Sequence, residues 1–518
     1  MNIKKITWIA IAIFSIVFLI LFAFSIQRNN GEFVYPIDDT YIHMAIANNT
    51  ADYGMWGIDK YNFSATSSSL LYGGLLTAIF LLIDHSLFIP LGFNIVCALL
   101  IFLQFNAIAT KNNTPIYLYA FCTAMLLLFV PLPTMAFSGM EHLMHALIAI
   151  GFIYLASRML SGEEGSLGLL LFFSILIGSV RYEGLFLVGI IPFLFVLQRK
   201  YGVATFIFIT GMLPMILFGI VSVSNGSHFL PNTILIKSDA SSLSNGALVN
   251  FIINTLDNLV YHITRLYLTV PILITGIIAY RTRNNKSLIF YASAITFLLL
   301  ISHCAFAKVG RYNRYESYLI ATSIFAYMLG HDVFKAFIRQ YFKSKIAITI
   351  VVIILLAPWI KRSYRNYHRT IQATHNIYDQ QIQMSRLLSS LPDNITVMAN
   401  DIGAISYFNP NIHIVDMVGL GSIDVLNMLR SSTSSEEKRE GYSEIAKNNE
   451  SDLAVIYDHW YPNEVPKGWR KIETWTIQNN VICGHETVSF YAINTNMDDI
   501  LKKELANHNL PKDVIRNK

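Results

Sequence analysis

Long apolar runs, each interrupted by a short polar stretch, repeat through the first 360 residues of the chain. The runs at 6–26, 70–83, 87–109, 116–133, 140–158, 166–180, 184–198, 203–222, 262–280, 287–306, 315–333 and 346–360 are candidate membrane spans. A helix that crosses the hydrocarbon needs about 20 residues, with a lower limit near 17. Several of the runs are short on that measure, 70–83 most of all. The pattern predicts a polytopic α-helical membrane protein with about 11–12 transmembrane helices. Beyond residue 362 the pattern changes. Polar, helix-like stretches alternate with short β-type runs at Ile395–Ala399, Ile412–Val415, Leu453–Tyr457, Thr474–Ile482 and Val488–Ile493. Strands alternating with polar helices predict a small α/β domain over 362–518. Segment 431–450, charge-rich throughout, reads as a surface helix or loop.

Composition agrees with the pattern. Hydrophobic residues make up 54% of the 518 and charged residues 14%, against roughly 25% charged in soluble domains. The first run follows Lys4 and Lys5, but its apolar core is too long for a signal peptide and no small-residue cleavage site follows it. It is expected to stay as a span with its N-terminus in the cytoplasm. The loop 27–69 then lies outside. It carries Arg28 and Lys60 against Glu32, Asp38, Asp39, Asp52 and Asp59. Basic turns at Arg199-Lys200, at Arg281, Arg283 and Lys286, and at Lys335, Arg339, Lys343 and Lys345 suit the inside. Twelve crossings conflict with those signs. Treating 70–83 as re-entrant or juxtamembrane leaves eleven, with the C-terminal domain external. The cluster Lys361, Arg362, Arg365 and Arg369 opposes that placement mildly.

The four cysteines form neither a disulfide framework nor a metal spacing. The net charge of +5 is spread over loops and tail, and no nucleic-acid motif is present. No second carboxylate ligand can be assembled from spacing, so no obligatory metal and no other cofactor is expected.

Candidate chemistry begins in the first outer loop, at Tyr35-Pro36-Ile37-Asp38-Asp39-Thr40-Tyr41. Adjacent carboxylates repel, so one of them holds its proton more tightly than a free aspartate and can serve as a general base. A solvated acidic turn is the plain alternative. Around the pair stand Phe33, Tyr35, Tyr41, Tyr53, Trp56, Tyr61 and Phe63. They suit sugar rings, and they equally suit an interfacial aromatic belt. Thr66-Ser67-Ser68-Ser69 precedes an apolar run, where a helix cap is expected.

A second set of ionisable residues sits at span ends: Glu141 and His142, Arg181 and Glu183, and Lys308, Arg311 and Arg314. Charges at a membrane boundary mark either a functional site or snorkelling anchors. On the expected topology they share the side of Asp38 and Asp39. Arginine's planar fork matches phosphate oxygens. The outer loop 223–261 adds Lys237, a further candidate for a lipid phosphate. In the C-terminal domain, Asp401-Ile402-Gly403, Asp416 and Gly419 read either as tight turns or as an acceptor-glycan surface helped by Trp460, Tyr461 and Trp469.

Taken in order, these motifs resemble the GT-C glycosyltransferases. The carriers are the first span, the outer Asp38-Asp39-Thr40-Tyr41-Ile42, the start at Thr66–Leu71, Ser138-Gly139-Met140-Glu141, Arg181-Tyr182-Glu183-Gly184, Leu230-Pro231-Asn232-Thr233, the stretch Arg311–Tyr315, and Asn400–Phe408 with Ile414–Leu420. Within that superfamily they look most like the bacterial arabinofuranosyltransferase-like group, which includes the mycobacterial terminal arabinofuranosyltransferases. Lys308-Val309-Gly310-Arg311 departs from the acidic, glycine-rich stretch of the mycobacterial members, which leaves the sugar open.

The resemblance implies a transmembrane catalytic domain over 1–361 and a periplasmic α/β domain over 362–518. It implies an inner-membrane, multi-pass enzyme whose active site faces the periplasm. Such an enzyme moves a sugar, with inversion, from a polyprenyl-phosphate carrier to an envelope glycan or glycolipid. Asp38 is the favoured base and Asp39 its orienting neighbour. Arg181, Arg311, Arg314 and Lys237 would hold the carrier phosphate, with Tyr41, Trp56, Glu141 and Glu183 lining the substrates. Two other readings stand beside it: an envelope polysaccharide polymerase or ligase, and a lipid-linked-sugar transporter. Transporters tend to show repeated halves, and no internal repeat is visible here.

Overall fold

A computed structural model describes residues 2–236, 253, 255–261 and 266–517. Among the described residues each candidate span holds an apolar helix, although 116–133 breaks between Ile116–Phe129 and Leu132–Phe137. Six helices among the described residues are long and apolar enough to cross a membrane: Ile3–Arg28, Phe88–Lys111, His142–Leu160, Tyr201–Ser224, Leu288–Phe306 and the long element beginning at Lys345. Shorter apolar helices occupy Leu70–Leu82, Ile116–Phe129, Leu167–Val180, Tyr182–Leu197 and Tyr267–Thr282. The chain is a multi-pass membrane protein with a small C-terminal sheet. The helix Leu70–Leu82 has 13 residues, about 20 Å at 1.5 Å per residue, short of the hydrocarbon thickness. Helix Lys345–Ile377 extends well past the apolar run that announced it.

The chain forms two compact units. One comprises Met1–Leu21, Leu91–Ile216 and Ser242–His368. Its interior is aromatic and small-residue packing between helices. Phe14 meets Phe102 edge-on at 6.2 Å and Phe18 meets Phe137 at 5.9 Å. Polar side chains pair with one another near the first helix: Thr7 and Tyr119 share a hydrogen bond of 2.7 Å, and Asn106 donates to Thr7 at 2.7 Å. An unpaired hydroxyl or amide in hydrocarbon has no water to turn to, which is why these are paired. Helices Leu167–Val180 and Tyr201–Ser224 touch backbone to backbone, because a Cβ on Gly178 would overlap the Gly211 carbonyl. Ser174 reinforces the crossing by donating to the Ile207 carbonyl at 2.7 Å. Small residues allow this approach, the usual device where no hydrophobic effect drives helices together. The outward faces are apolar: Phe206, Ile209 and Phe193 are among the exposed large side chains, which fits a lipid surround.

The other unit comprises Phe22–Pro90, Leu217–Ser241 and Arg369–Lys518. Its centre is a six-stranded sheet: β1 Thr396–Ala399, β2 His413–Asp416, β3 Leu453–Ile456, β4 Arg470–Thr476, β5 Thr487–Ala492 and β6 Ile515–Asn517, in the order β2-β1-β3-β5-β4-β6. The first three strands are parallel, and β5, β4 and β6 join antiparallel. The period-2 alternation of a strand divides the side chains between two cores. Val397, Leu453, Val455 and Phe490 pack with Leu387, Trp475, Leu501 and Leu505 on one face. Met398, Ala454, Ile456 and Tyr491 pack with Val425, Tyr442 and Ile445 on the other. Segment 431–450 holds a helix, Ser435–Asn448, capped by Ser434.

Segment 27–69 differs from the expected loop. Asp39–Tyr53 is a helix, closed at Gly54 in the left-handed conformation (φ 67°), whose N–H meets Thr50; glycine is favoured at such a C-cap. Its side chains Thr40, His43, Asn48 and Asn49 are buried, so the segment lacks the amphipathic stripe that would announce a helix. The edge of β2 is closed by side chains. The Ile414 N–H donates to Asp59 at 3.0 Å and the Asp416 N–H to Ser422 at 2.8 Å.

Gly178→Leu tests the backbone contact. Forcing a side chain against a fixed carbonyl is expected to cost about 1–3 kcal/mol or more. That should appear as a lower unfolding temperature in detergent, whereas Gly202→Leu, with open space around it, should leave it unchanged.

Candidate functional site

Asp38 immediately precedes the helix Asp39–Tyr53 and is 7% exposed. Both of its carboxylate oxygens are used. Oδ2 accepts from the Gly403 N–H at 2.6 Å and Oδ1 from the Ala404 N–H at 2.8 Å. These are the first amides of the short helix Gly403–Phe408, where the backbone has no intrahelical acceptors to offer. The position demands glycine, since a Cβ on residue 403 would collide with the Asp38 carboxylate and carbonyl.

Asp401 stands close enough to Asp38 for the two carboxyls to interact. Its Oδ2 accepts from Gln381 Nε2 at 2.6 Å and from the Tyr457 hydroxyl at 2.7 Å. Tyr457 is fully buried. Burial and then the Asp401 charge hold Asp38 well above the ordinary carboxylate range, against the pull of the two amides. Asp401 is raised too, by burial first and then by Asp39. Two carboxyls this close do not both ionise easily. Asp39, one residue on, is half-buried. The fold thus gathers three carboxyls, from two segments far apart in sequence, one of them accessible.

The remaining outer-segment candidates are mainly packed. Tyr41 is fully buried, and its hydroxyl accepts from the Tyr35 N–H at 3.1 Å. Trp56, half-buried, lies against Gly73, where a Cβ would approach the indole to 2.7 Å. Ser69 caps its helix, accepting from the Tyr72 N–H at 3.2 Å. Asp416 closes its own turn, accepting from Val418 at 2.9 Å and Gly421 at 2.7 Å, with Gly419 at φ 81°. Burial raises Asp416 to about 6. Of the aromatic trio suggested for a glycan surface, Trp460 is exposed, whereas Tyr461 and Trp469 belong to the sheet core.

The boundary charges of the first-described unit form a second cluster. Arg181 is buried and doubly paired. It holds Glu183 in a fork, Nε to Oε2 at 3.0 Å and Nη2 to Oε1 at 2.9 Å, and also pairs with buried Glu141. Arg181 and Arg314 both stand over the Tyr315 ring, at 5.4 and 5.1 Å from its centroid. Arg311, Tyr312 and Asn313 all adopt left-handed backbone, with φ of 46°, 65° and 59°. Such conformations cost of order 1 kcal/mol or more each and persist only when neighbours enforce them. Glu316 does so by accepting from the Gly310 N–H at 2.9 Å and from Arg362 at 3.0 Å, while Arg362 also donates to the Asn313 carbonyl at 3.0 Å. The result exposes Arg311 and buries Arg314. Arg362, one of the basic cluster at 361–369, is buried in the fold and braces this turn. Lys237 lies outside the described residues.

Two predictions follow from these contacts. Gly403→Ala should push Asp38 off its amides and lower stability by about 1–3 kcal/mol, read as a drop in unfolding temperature against Gly468→Ala, which meets open space. Asp416 binds its proton more tightly folded than unfolded. Its contribution therefore weakens as pH rises from about 4, the unfolded value, to about 6. Asp416→Asn should flatten that part of the stability–pH curve.

Comparison with known proteins agrees with this architecture. A family described as "Domain of unknown function (DUF8728)" matches residues 371–491. No curated protein matches the sequence. Among solved structures, ArnT from Cupriavidus metallidurans in the apo state is 12% identical with a TM-score of 0.50, covering 95% of this chain and 98% of that one. The same protein bound to undecaprenyl phosphate gives 13% identity and a TM-score of 0.49, with 95% and 98% covered. The oligosaccharyltransferase of Archaeoglobus fulgidus gives 13% and 0.43, covering 97% of this chain and 76% of that one. At such identities the likeness is one of fold: a polytopic helical membrane protein with a small C-terminal α/β sheet.

Proposed function

We propose that this chain is a GT-C glycosyltransferase of the bacterial inner membrane. It takes a sugar from a polyprenyl-phosphate carrier and transfers it, with inversion, to an envelope glycan or glycolipid at the periplasmic face. The observation that carries the reading is the carboxyl cluster Asp38, Asp39 and Asp401, fixed by backbone amides within a GT-C-type fold.

In this reading Asp39, the accessible carboxylate, receives the acceptor hydroxyl. Asp38, made more basic by burial and by Asp401, takes its proton. The acceptor oxygen then bonds to the anomeric carbon as the bond from that carbon to the carrier phosphate breaks, and the phosphate leaves with the electron pair. A base so placed is worth about 10²–10⁴-fold. Arg311 and Arg314 serve the carrier phosphate, as Lys237 does. Arg181, already neutralised by Glu141 and Glu183, orients the Tyr315 segment more than it binds anions. Tyr41 and Trp56 shape the acceptor side from beneath, through packing. No metal is required for these steps.

The test is transfer in isolated membranes from labelled polyprenyl-phosphate sugars to a crude envelope acceptor extract. Asp38→Asn and Asp39→Asn are each expected to lose at least about 100-fold in rate while inserting normally. Full activity in both would refute the carboxylate mechanism. Movement of intact lipid-linked sugar with no new glycosidic bond would favour the transporter.

The pH profile separates chemistry from folding. A base must be ionised, so transfer should fall as pH drops through Asp38's raised value. Asp401→Asn removes a charge that raises it, and the acid limb should move to lower pH. A purely structural Asp38 would leave that limb in place.

A further inference from the structure

A second polar centre lies where helix Lys345–Ile377 passes into the π-helical turn Tyr378–Ile382. His375 and Asp379, one turn apart, converge there with Asp513 from the C-terminal segment. His375 Nε2 is 3.2 Å from Asp379 Oδ2 and 3.1 Å from Asp513 Oδ2. All three ligand-type atoms lie within 4.8 Å of one another. His375 and Asp379 are buried and Asp513 is exposed.

The tautomer is set from behind. His375 Nδ1 faces Asn29 Oδ1 at 3.3 Å, and Asn29 Nδ2 donates to Ser25 at 3.4 Å, which orients the amide with its oxygen toward the ring. Nδ1–H therefore donates, and Nε2 presents a lone pair to two carboxylates. Three acceptors pointing at one spot need a cation between them. A proton on Nε2 serves only Asp513, because neither oxygen of Asp379, a side chain 1% exposed, accepts a hydrogen bond. A metal ion serves all three. Ligands bonded at about 2.1 Å stand roughly 3.0–3.4 Å apart, which brackets the separations seen. Arg28 acts electrostatically on both His375 and Asp379, while burial and Asp513 oppose an ionised Asp379, a penalty that a bound dication would relieve. Imidazole with carboxylates suits a transition metal over magnesium or calcium. A π-turn at this point is a common companion of functional sites, and exposed Asp513 provides the entry path.

We propose that His375, Asp379 and Asp513 bind one divalent transition-metal ion, with Asn29 as the positioning residue behind the histidine. The site shares no ligand with the Asp38 cluster and stands whether or not the chain transfers sugars. Bound there, the ion clips the C-terminal segment to residues 375–379. Spacing along the sequence could not show it, since His375 and Asp513 are 138 residues apart.

The experiment is Zn²⁺ titration calorimetry on the full chain in detergent, after chelator treatment and dialysis, with Co²⁺ absorption reporting the ligand set. Wild type is expected to take up one Zn²⁺ per chain. Asp379→Asn and His375→Gln should abolish tight uptake. Asp513→Asn, on an exposed side chain, should weaken it at least about tenfold, and Asn29→Ala by about 10–100-fold. If wild type binds no more Zn²⁺ than Asp379→Asn, or if Asp513→Asn and Asn29→Ala bind as tightly as wild type, the proposal is wrong.

Discussion

The bond on which one half of the chain is organised is the grip of a single carboxylate on two backbone amides. Asp38 joins the segment after the first helix to the N-terminus of Gly403–Phe408, and so to the strand that precedes it. Hydrogen bonds to a charged acceptor are worth about 1.5–3 kcal/mol each, and losing them would strand buried amides. The same grip fixes where Asp39 points and which carboxyl Asp38 must share its proton with. Structure and chemistry thus draw on one side chain. Burial and the neighbouring Asp401 raise its proton affinity at a site whose amides would otherwise favour ionisation.

The second cluster shows the opposite economy. Arg181 is surrounded by acids that neutralise it, while Arg311 is carried outward on three consecutive left-handed residues. The brace for that turn is Glu316 with Arg362, a buried ion pair with additional carbonyl partners. Such a pair is a poor source of stability in itself, but removing one partner leaves a buried charge. Its role here is to hold a backbone shape that local preferences oppose.

How much of this was legible depends on how local the signal is. Runs such as 87–109 and 287–306 announce their helices, because hydrocarbon demands long apolar stretches. Val397, Leu453 and Phe490 announce strands, because parallel and central strands are buried on both faces. Strand β4 begins earlier than the pattern suggests, since Lys471 and Glu473 look like loop residues until β5 and β6 flank them. The helix Asp39–Tyr53 hides behind Asn48, Asn49 and Thr50, polar residues that it buries or half-buries. The pairing of Asp38 with Asp401, and of Arg362 with Glu316, joins distant residues and leaves no trace in spacing. Gly403 is the one local hint, a glycine needed for closeness.

The closed edge of β2 has a consequence for the protein's life in a crowded bilayer. A parallel strand at a sheet margin offers every second amide outward, and those of Ile414 and Asp416 are already taken by Asp59 and Ser422. A neighbouring copy that meets this margin finds those two amides already bonded. At the β2 edge, the high local concentration imposed by two-dimensional confinement then has less ladder to convert into intermolecular β-structure.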